Sequence, residues 1–340
     1  MTPAIFSLSD LKLTKDESAF FKDCDPAGYI LFGRNIESRE QLRALTDDLR
    51  SIHGRDKLFI SIDQEGGRVA RMRPPEWDAY PPQGDFALLY DVAPASAIQA
   101  ARHNAQMLAL DLAEVGITVD YLPLLDMPVE GAHDVIGDRA LGHEPMQVAA
   151  LGRAVLDGLA RGGVAGCIKH MPGHGRATVD SHKNLPTVTA SADELEHDIA
   201  PFAKLAEHAP MGMSAHIRFT AWDADNPATL SEVVIEKIIR QRIGFDGLLL
   251  SDDIDMEALD GTIPERSKHA IAAGCDLVLN CWGKMDDMVA SAEAMPSMSE
   301  TSAKRLDRAL EPVGPANEDM PREELRAARD ALLALTKAEA

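Results

Sequence analysis

Short apolar runs alternate with longer amphipathic segments along most of the chain. The runs are Gly28–Arg34 (GYILFGR), Leu58–Gln64 (LFISIDQ), Ile117–Asp126 (ITVDYLPLLD), Gly166–His170 (GCIKH), Met211–His216 (MGMSAH), Gly247–Asp252 (GLLLSD) and Cys275–Cys281 (CDLVLNC). Most are continuously apolar rather than alternating, as in strands buried on both faces of a parallel sheet. Between them, helical patterns cover Ser38–Ser51, Ala95–Val115, Pro145–Arg161, Ala192–Glu207, Ser231–Arg242 and Pro264–Ala273. Ser38-x-x-Gln41 reads as a capping box, and Gly116 and Gly244 stand where helices should stop. Thr301–Leu310 and Pro321–Lys337 add two closing helices. Repeated strand-then-helix order predicts a parallel sheet. Seven strands, with an eighth weak or unrecognised, favour a closed (β/α)8 TIM barrel over an open sheet. No break in composition divides the chain, so residues 1–340 are expected to form one catalytic domain. The stretch Pro74–Pro82 (PPEWDAYPP) reads as a long loop.

Composition narrows the range of partners. The 340 residues carry 34 Lys+Arg against 55 Asp+Glu, a net charge of −21, with 45% hydrophobic residues. Such a chain can bury a sizeable core. Its acidity argues against nucleic acid or an anionic membrane as partner, since both would repel it. No stretch approaches the ~18 apolar residues of a membrane span. Residues 1–10 have no early positive charge and meet Asp10 before an apolar core develops, so no secretory signal is expected. Cys24, Cys167, Cys275 and Cys281 lack C-x-x-C spacing and read as free thiols. These features point to a cytoplasmic protein.

In a (β/α)8 barrel the chemistry collects at the C-terminal ends of the strands. Here those ends read Asp63-Gln64-Glu65-Gly66-Gly67-Arg68, Asp126 with Asp138-Arg139 beyond it, Lys169-His170-Met171-Pro172-Gly173-His174-Gly175, His216, and Ser251-Asp252-Asp253. Charged and imidazole groups gathered at one end of an apolar scaffold cost desolvation and repulsion, so an active site explains them better than structure does. Asp180-Ser181-His182 follows as a second cluster. Asp and His two residues apart can face each other if the loop curls, and the carboxylate then raises the imidazole's pKa and fixes its tautomer.

The ordered motifs D-Q-E-G-G-R, K-H-M-P-G-H-G, D-S-H-x-x-L-P and S-D-D-I-D-M resemble family 3 glycoside hydrolases. Within that family they are most similar to the single-domain bacterial β-N-acetylglucosaminidases of the NagZ type. The resemblance spans about Gly28 to Asp276. It departs from the family at Met171, usually Phe, at Ile254, usually Leu, and at Asp255, often a small polar residue.

The resemblance implies retaining hydrolysis of a terminal β-linked N-acetylglucosamine through an oxocarbenium-like transition state. It implies Asp252 as nucleophile rather than Asp253; neighbouring residues on a strand point to opposite faces, so only one should meet the sugar. It implies His182, assisted by Asp180, as acid/base. Larger family members take that acid from a second domain, whereas here the loop is expected to supply it. Asp63, Arg71, Arg139, Lys169 and His170 are implied as sugar holders. His174, Gly173 and Gly175 are expected to shape the loop. His216 fits either the pocket or a satisfied core position, and Trp282 either a sugar platform or rim packing. No cofactor or metal is implied. The substrate would be a small carbohydrate, a GlcNAc-anhydro-muropeptide or a chitooligosaccharide, cut during peptidoglycan recycling.

Other readings remain open on the sequence. A β-glucosidase or an N-acetylglucosaminide phosphorylase would share the motifs. A metal-dependent barrel hydrolase could draw on His170, His174, His182, Asp180 and Asp63. A non-catalytic sugar-binding barrel would need no nucleophile.

Overall fold

A computed structural model describes residues 1–179, 184–317 and 319–337. Among the described residues ten strands occur in chain order: β1 (Thr2–Ser7), β2 (Pro26–Leu31), β3 (Phe59–Ile62), β4 (Val119–Asp120), β5 (Ala165–Met171), β6 (Thr187–Val188), β7 (Met211–Ser214), β8 (Arg218–Phe219), β9 (Leu248–Asp253) and β10 (Leu277–Asn280). Eight of them close a parallel barrel in the order β1-β10-β9-β7-β5-β4-β3-β2. The remaining two, β6 and β8, form a small separate ribbon.

The expected TIM barrel is therefore present, and its unrecognised strand is the first one. TPAIFS is short and holds a proline and two hydroxyl residues, so its apolar signal is weak. Ala4, Ile5 and Phe6 are nonetheless fully buried. Phe6 pairs with Asn280 on one side and Tyr29 on the other, which seals the barrel.

The strands alternate between two apolar layers, as the period of two demands. Ile5, Phe59, Val119, Cys167, Met211, Leu248, Leu250, Leu277 and Leu279 belong to the barrel's inner cluster. Phe6, Ile60, Ile62, Ile168, Leu249 and Val278 belong to the outer cluster shared with the helices. This alternation decides which residues at the strand ends continue inward.

The long helices start and stop for local reasons. Pro145–Arg161 has proline in its first turn, where the missing N–H costs nothing. Pro94–Glu114 ends before Gly116, whose φ of +80° suits glycine. Ser38 caps Arg39–His53 by accepting from the Gln41 N–H at 3.2 Å. The return arm of the expected box goes elsewhere: Gln41 Oε1 accepts from the Glu37 N–H, one residue early. A complete capping box, missed in the sequence, is Thr14 with Glu17 at the head of Lys15–Cys24. Gln83–Val92 and Met285–Ala294 are further helices beyond those expected. Pro74–Pro82 is a loop, and its Trp77 and Tyr80 are buried, with Tyr80 donating to Asp111 at 2.6 Å. The closing helix Arg322–Leu333 is fastened by Arg322 to Asp111 (2.8 Å) and by Arg329 to Asn104 (3.0 Å). All four cysteines are free thiols. No helix among the described residues is long and apolar enough to cross a membrane.

Candidate active site

A pocket of about 370 Å³ opens among the C-terminal ends of the strands. Asp63, Arg71, Arg139, Lys169, His170, His174, Asp252 and Asp253 line it, with Phe32, Arg34, Tyr121, Met213, Met256, Leu279, Cys281 and Trp282. Every one of the five expected sugar holders and the expected nucleophile thus faces one cavity. Its size lies in the usual range for small-ligand sites.

The floor on the β3–β5 side is a chain of alternating charges. Lys169 continues the inward register of Cys167 and is only 2% exposed. Its Nζ stands 2.6 Å from Glu65 Oε1 and 3.1 Å from Asp63 Oδ1. Arg139 grips Glu65 with two parallel bonds, Nε–Oε2 at 2.8 Å and Nη2–Oε1 at 2.7 Å. Arg71 Nη2 reaches Asp63 Oδ2 at 3.3 Å. Burial alone would raise the Glu65 carboxyl, but Lys169 and Arg139 reverse this and hold it well below the usual carboxylate range. Burial alone would strip the Lys169 proton, but Glu65 and Asp63 raise its pKa instead. Three cations meet two carboxylates here, so the array presents fixed donors to the oxygens of a polar ligand.

Glu65 carries this array and was not among the residues singled out by sequence. The available signal was its spacing from Asp63: two residues apart at a strand end, both can turn the same way.

Asp126 organises the next segment. It is 1% exposed and accepts the His170 N–H at 3.1 Å, the His174 N–H at 2.6 Å and His170 Nδ1 at 2.7 Å. Burial opposes its charge, yet His170 and these N–H groups lower its pKa. An ionised Asp126 requires the hydrogen of His170 on Nδ1, which leaves Nε2 for other partners. Gly175 is needed for this fold of the loop, because a Cβ there would sit 1.8 Å from the Met127 carbonyl oxygen. His174 lines the pocket as well as shaping the loop, and burial lowers its pKa to about 4 with help from His170.

At the end of β9, Leu248 and Leu250 lie in the inner layer, so alternation turns Asp252 inward. Its Oδ1 accepts the Asp253 N–H at 2.8 Å. Asp253 also borders the pocket, contrary to strict alternation. Its carboxylate, however, accepts the N–H groups of Asp255 (3.1 Å) and Cys281 (3.2 Å). Burial and the neighbouring Asp255 push the Asp253 carboxyl well up. Asp255 itself accepts from Cys281 N (2.9 Å) and Trp282 N (3.2 Å) and so fixes the turn after β10. His216 is a satisfied core residue: Nδ1 meets Thr229 Oγ1 at 2.9 Å and Nε2 donates to the Asp253 carbonyl at 2.8 Å.

Asp180 and His182 lie outside the described residues. The described flanks of their loop are anchored by Arg176 on Asp198 (2.5 Å), by the His133 N–H on the Ala177 carbonyl (2.8 Å) and by the Arg218 N–H on the Pro186 carbonyl (3.0 Å). Among the described residues, no three His, Cys, Asp or Glu side chains are grouped to hold a metal ion.

Fold and site together define a (β/α)8-barrel enzyme with a charged, polar pocket at the strand ends. The chain matches the glycosyl hydrolase family 3 N-terminal domain over residues 5–314. It belongs to that family of glycoside hydrolases. It is 38% identical to a β-hexosaminidase of Bordetella avium over 283 residues, covering 82% of this chain and 80% of the relative. A β-hexosaminidase of Chromobacterium violaceum is 38% identical over 311 residues, covering 90% and 86%. The crystal structure of NagZ from Neisseria gonorrhoeae in complex with N-trifluoroacetyl-D-glucosamine superposes with a TM-score of 0.85 at 32% identity, covering 99% of this chain and 97% of that one.

Proposed function

We propose that this glycoside hydrolase, a β-N-acetylhexosaminidase like its relatives, removes terminal N-acetylglucosamine with retention of configuration. Asp252 is the nucleophile. One of its carboxylate oxygens bonds to C1 as the C1–O bond to the leaving group breaks. His182, oriented by Asp180, gives its proton to the departing oxygen. Water then attacks C1, its proton passes to His182, and the ester to Asp252 opens. Imidazole suits this role because it adds no negative charge beside the nucleophile when it loses its proton.

The observation that carries the reading is that Asp252 lines one pocket together with Asp63, Lys169 and Arg139, the last two of which Glu65 ties together. A nucleophile needs its target held still, and Asp63, Arg71, Arg139, Lys169 and His170 offer both donors and acceptors for hydroxyl and acetamido groups. The bound N-acylated glucosamine of the Neisseria relative supports the same sugar class.

The physiological substrate is a GlcNAc-anhydro-muropeptide, cleaved in the cytoplasm during peptidoglycan recycling, and the one barrel supplies all the chemistry. Rates on a panel of nitrophenyl β-glycosides test the sugar specificity. The 2-acetamido sugar should be strongly preferred, and equal rates on glucose and N-acetylglucosamine would overturn it. Trapping with a mechanism-based fluorosugar should label Asp252, and inversion at C1 seen by proton NMR would refute the covalent step.

A further inference from the structure

Two buried residues stand behind the charged floor of the site, Gln64 and Asp120, and neither is among the described residues that line the pocket. Asp120 ends β4 opposite Ile62 of β3. Val119 and Tyr121 on either side of it belong to the barrel's inner layer, so alternation turns Asp120 outward. There its Oδ1 accepts the Gln64 N–H at 2.9 Å.

That N–H lies between Asp63 and Glu65 in the chain. Both of these residues send a carboxylate to Lys169 Nζ, at 3.1 and 2.6 Å, while the Gln64 side chain turns to the returning limb of its own loop. Its Oε1 accepts the N–H groups of Arg71 (2.8 Å) and Met72 (3.0 Å), and its Nε2 donates to the Met72 carbonyl (2.9 Å). The amide thereby ties the Arg71 backbone to the turn that carries Asp63, whose carboxylate Arg71 Nη2 meets. Asp120 does this without competing for Lys169. Among the described residues its Oδ2 has no hydrogen-bond partner. Burial pushes its carboxyl well up, and the Asp63 and Glu65 carboxylates add to this against the Gln64 N–H and Lys169. An uncharged Asp120 leaves the ammonium to Glu65 and Asp63.

We propose that Asp120 and Gln64 are positioning residues for sugar binding: Asp120 holds the Gln64 N–H so that Asp63 and Glu65 turn to the same side, and the Gln64 amide sets Arg71 at a fixed distance from them. Neither residue touches the substrate. They act through three members of the array, which must grip neighbouring groups of one sugar ring at once. A holder displaced by about 1 Å forfeits that alignment. The inference rests on the hexosaminidase reading above and adds the residues that aim its sugar holders.

The test measures kcat/KM on nitrophenyl N-acetyl-β-glucosaminide per active site, the sites being counted by covalent labelling with a mechanism-based fluorosugar. Counting sites removes any loss that comes only from unfolded protein. Asp120→Ala and Gln64→Ala should each lower the per-site value about tenfold. Asp120→Asn keeps an oxygen opposite the Gln64 N–H and matches an uncharged carboxyl, so it should stay within about twofold of the parent. Because both residues act on one turn, the double alanine variant should lose about as much as the worse single one. Gln64→Ala carries the test should Asp120→Ala yield no labelled sites. Per-site values unchanged in the alanine variants, an asparagine variant as impaired as the alanine one, or losses that multiply in the double variant would overturn the positioning role. A parent enzyme that neither releases N-acetylglucosamine nor takes the label would instead overturn the hexosaminidase reading.

Discussion

Glu65 and Lys169 are buried side by side, with Oε1 and Nζ 2.6 Å apart, and each keeps the other charged. Neither could hold its charge alone at that depth. The pair is thus a device for keeping an ammonium at the floor of the pocket, aimed at substrate oxygens, in a place where burial would otherwise neutralise it.

Glu65→Gln keeps the shape and removes the charge, leaving Lys169 and Arg139 without their shared carboxylate. Stability at neutral pH should fall by about 3 kcal/mol, read from denaturant melts. The lowered Glu65 pKa also sets a sign. Its stabilising contribution is complete above the unfolded value of about 4.3 and is lost as pH falls below it. The variant should therefore lose less stability than the parent on acidification from pH 5 to pH 3. Unchanged melts at both pH values would refute this.

Asp252→Ala should cut kcat by about a thousandfold or more while leaving the thermal midpoint near that of the parent. The residue sits at the inner end of β9 rather than within the packed layers, so little packing is lost. A variant retaining a tenth of the activity would show that another group attacks C1.

His182→Ala should depend on the leaving group. Aryl glycosides with acidic phenols need little protonation and should lose little. Natural disaccharides should lose about a hundredfold or more. Equal losses on both would remove His182 from the acid role.

His174 is held neutral by burial, at a pKa of about 4, with His170 beside it. An unfolded histidine titrates near 6.5. Its contribution is therefore complete above about pH 6.5 and drains away as pH falls toward 4. His174→Asn should flatten the stability profile across that window. Parallel profiles for parent and variant would show that His174 does not set this slope.

Much of this was readable from the chain. Continuous apolar runs marked seven strands because parallel strands are buried on both sides, and the residues just past them proved to share one pocket. The misses have physical causes. β1 escaped because six residues including Pro3 and Ser7 carry little hydrophobic signal; its burial comes from neighbours distant in sequence. Glu65 escaped because a run of polar residues does not reveal which one turns inward. Asp253 borders the pocket despite its parity, and its carboxylate is tied to the N–H groups of Asp255 and Cys281, the second of these a contact made only when β9 and β10 are already paired.

That first strand has a consequence for how the protein is made. Phe6 pairs with Asn280, and Arg34 binds Ser7 and Leu8 together with Cys281 across the same seam. A nascent chain still lacking its last barrel strand leaves β1 with one open edge, however well the earlier units have formed. Closure must wait until Asn280 has left the ribosome, and until then β1 keeps an unpaired edge of the kind that invites wrong pairing.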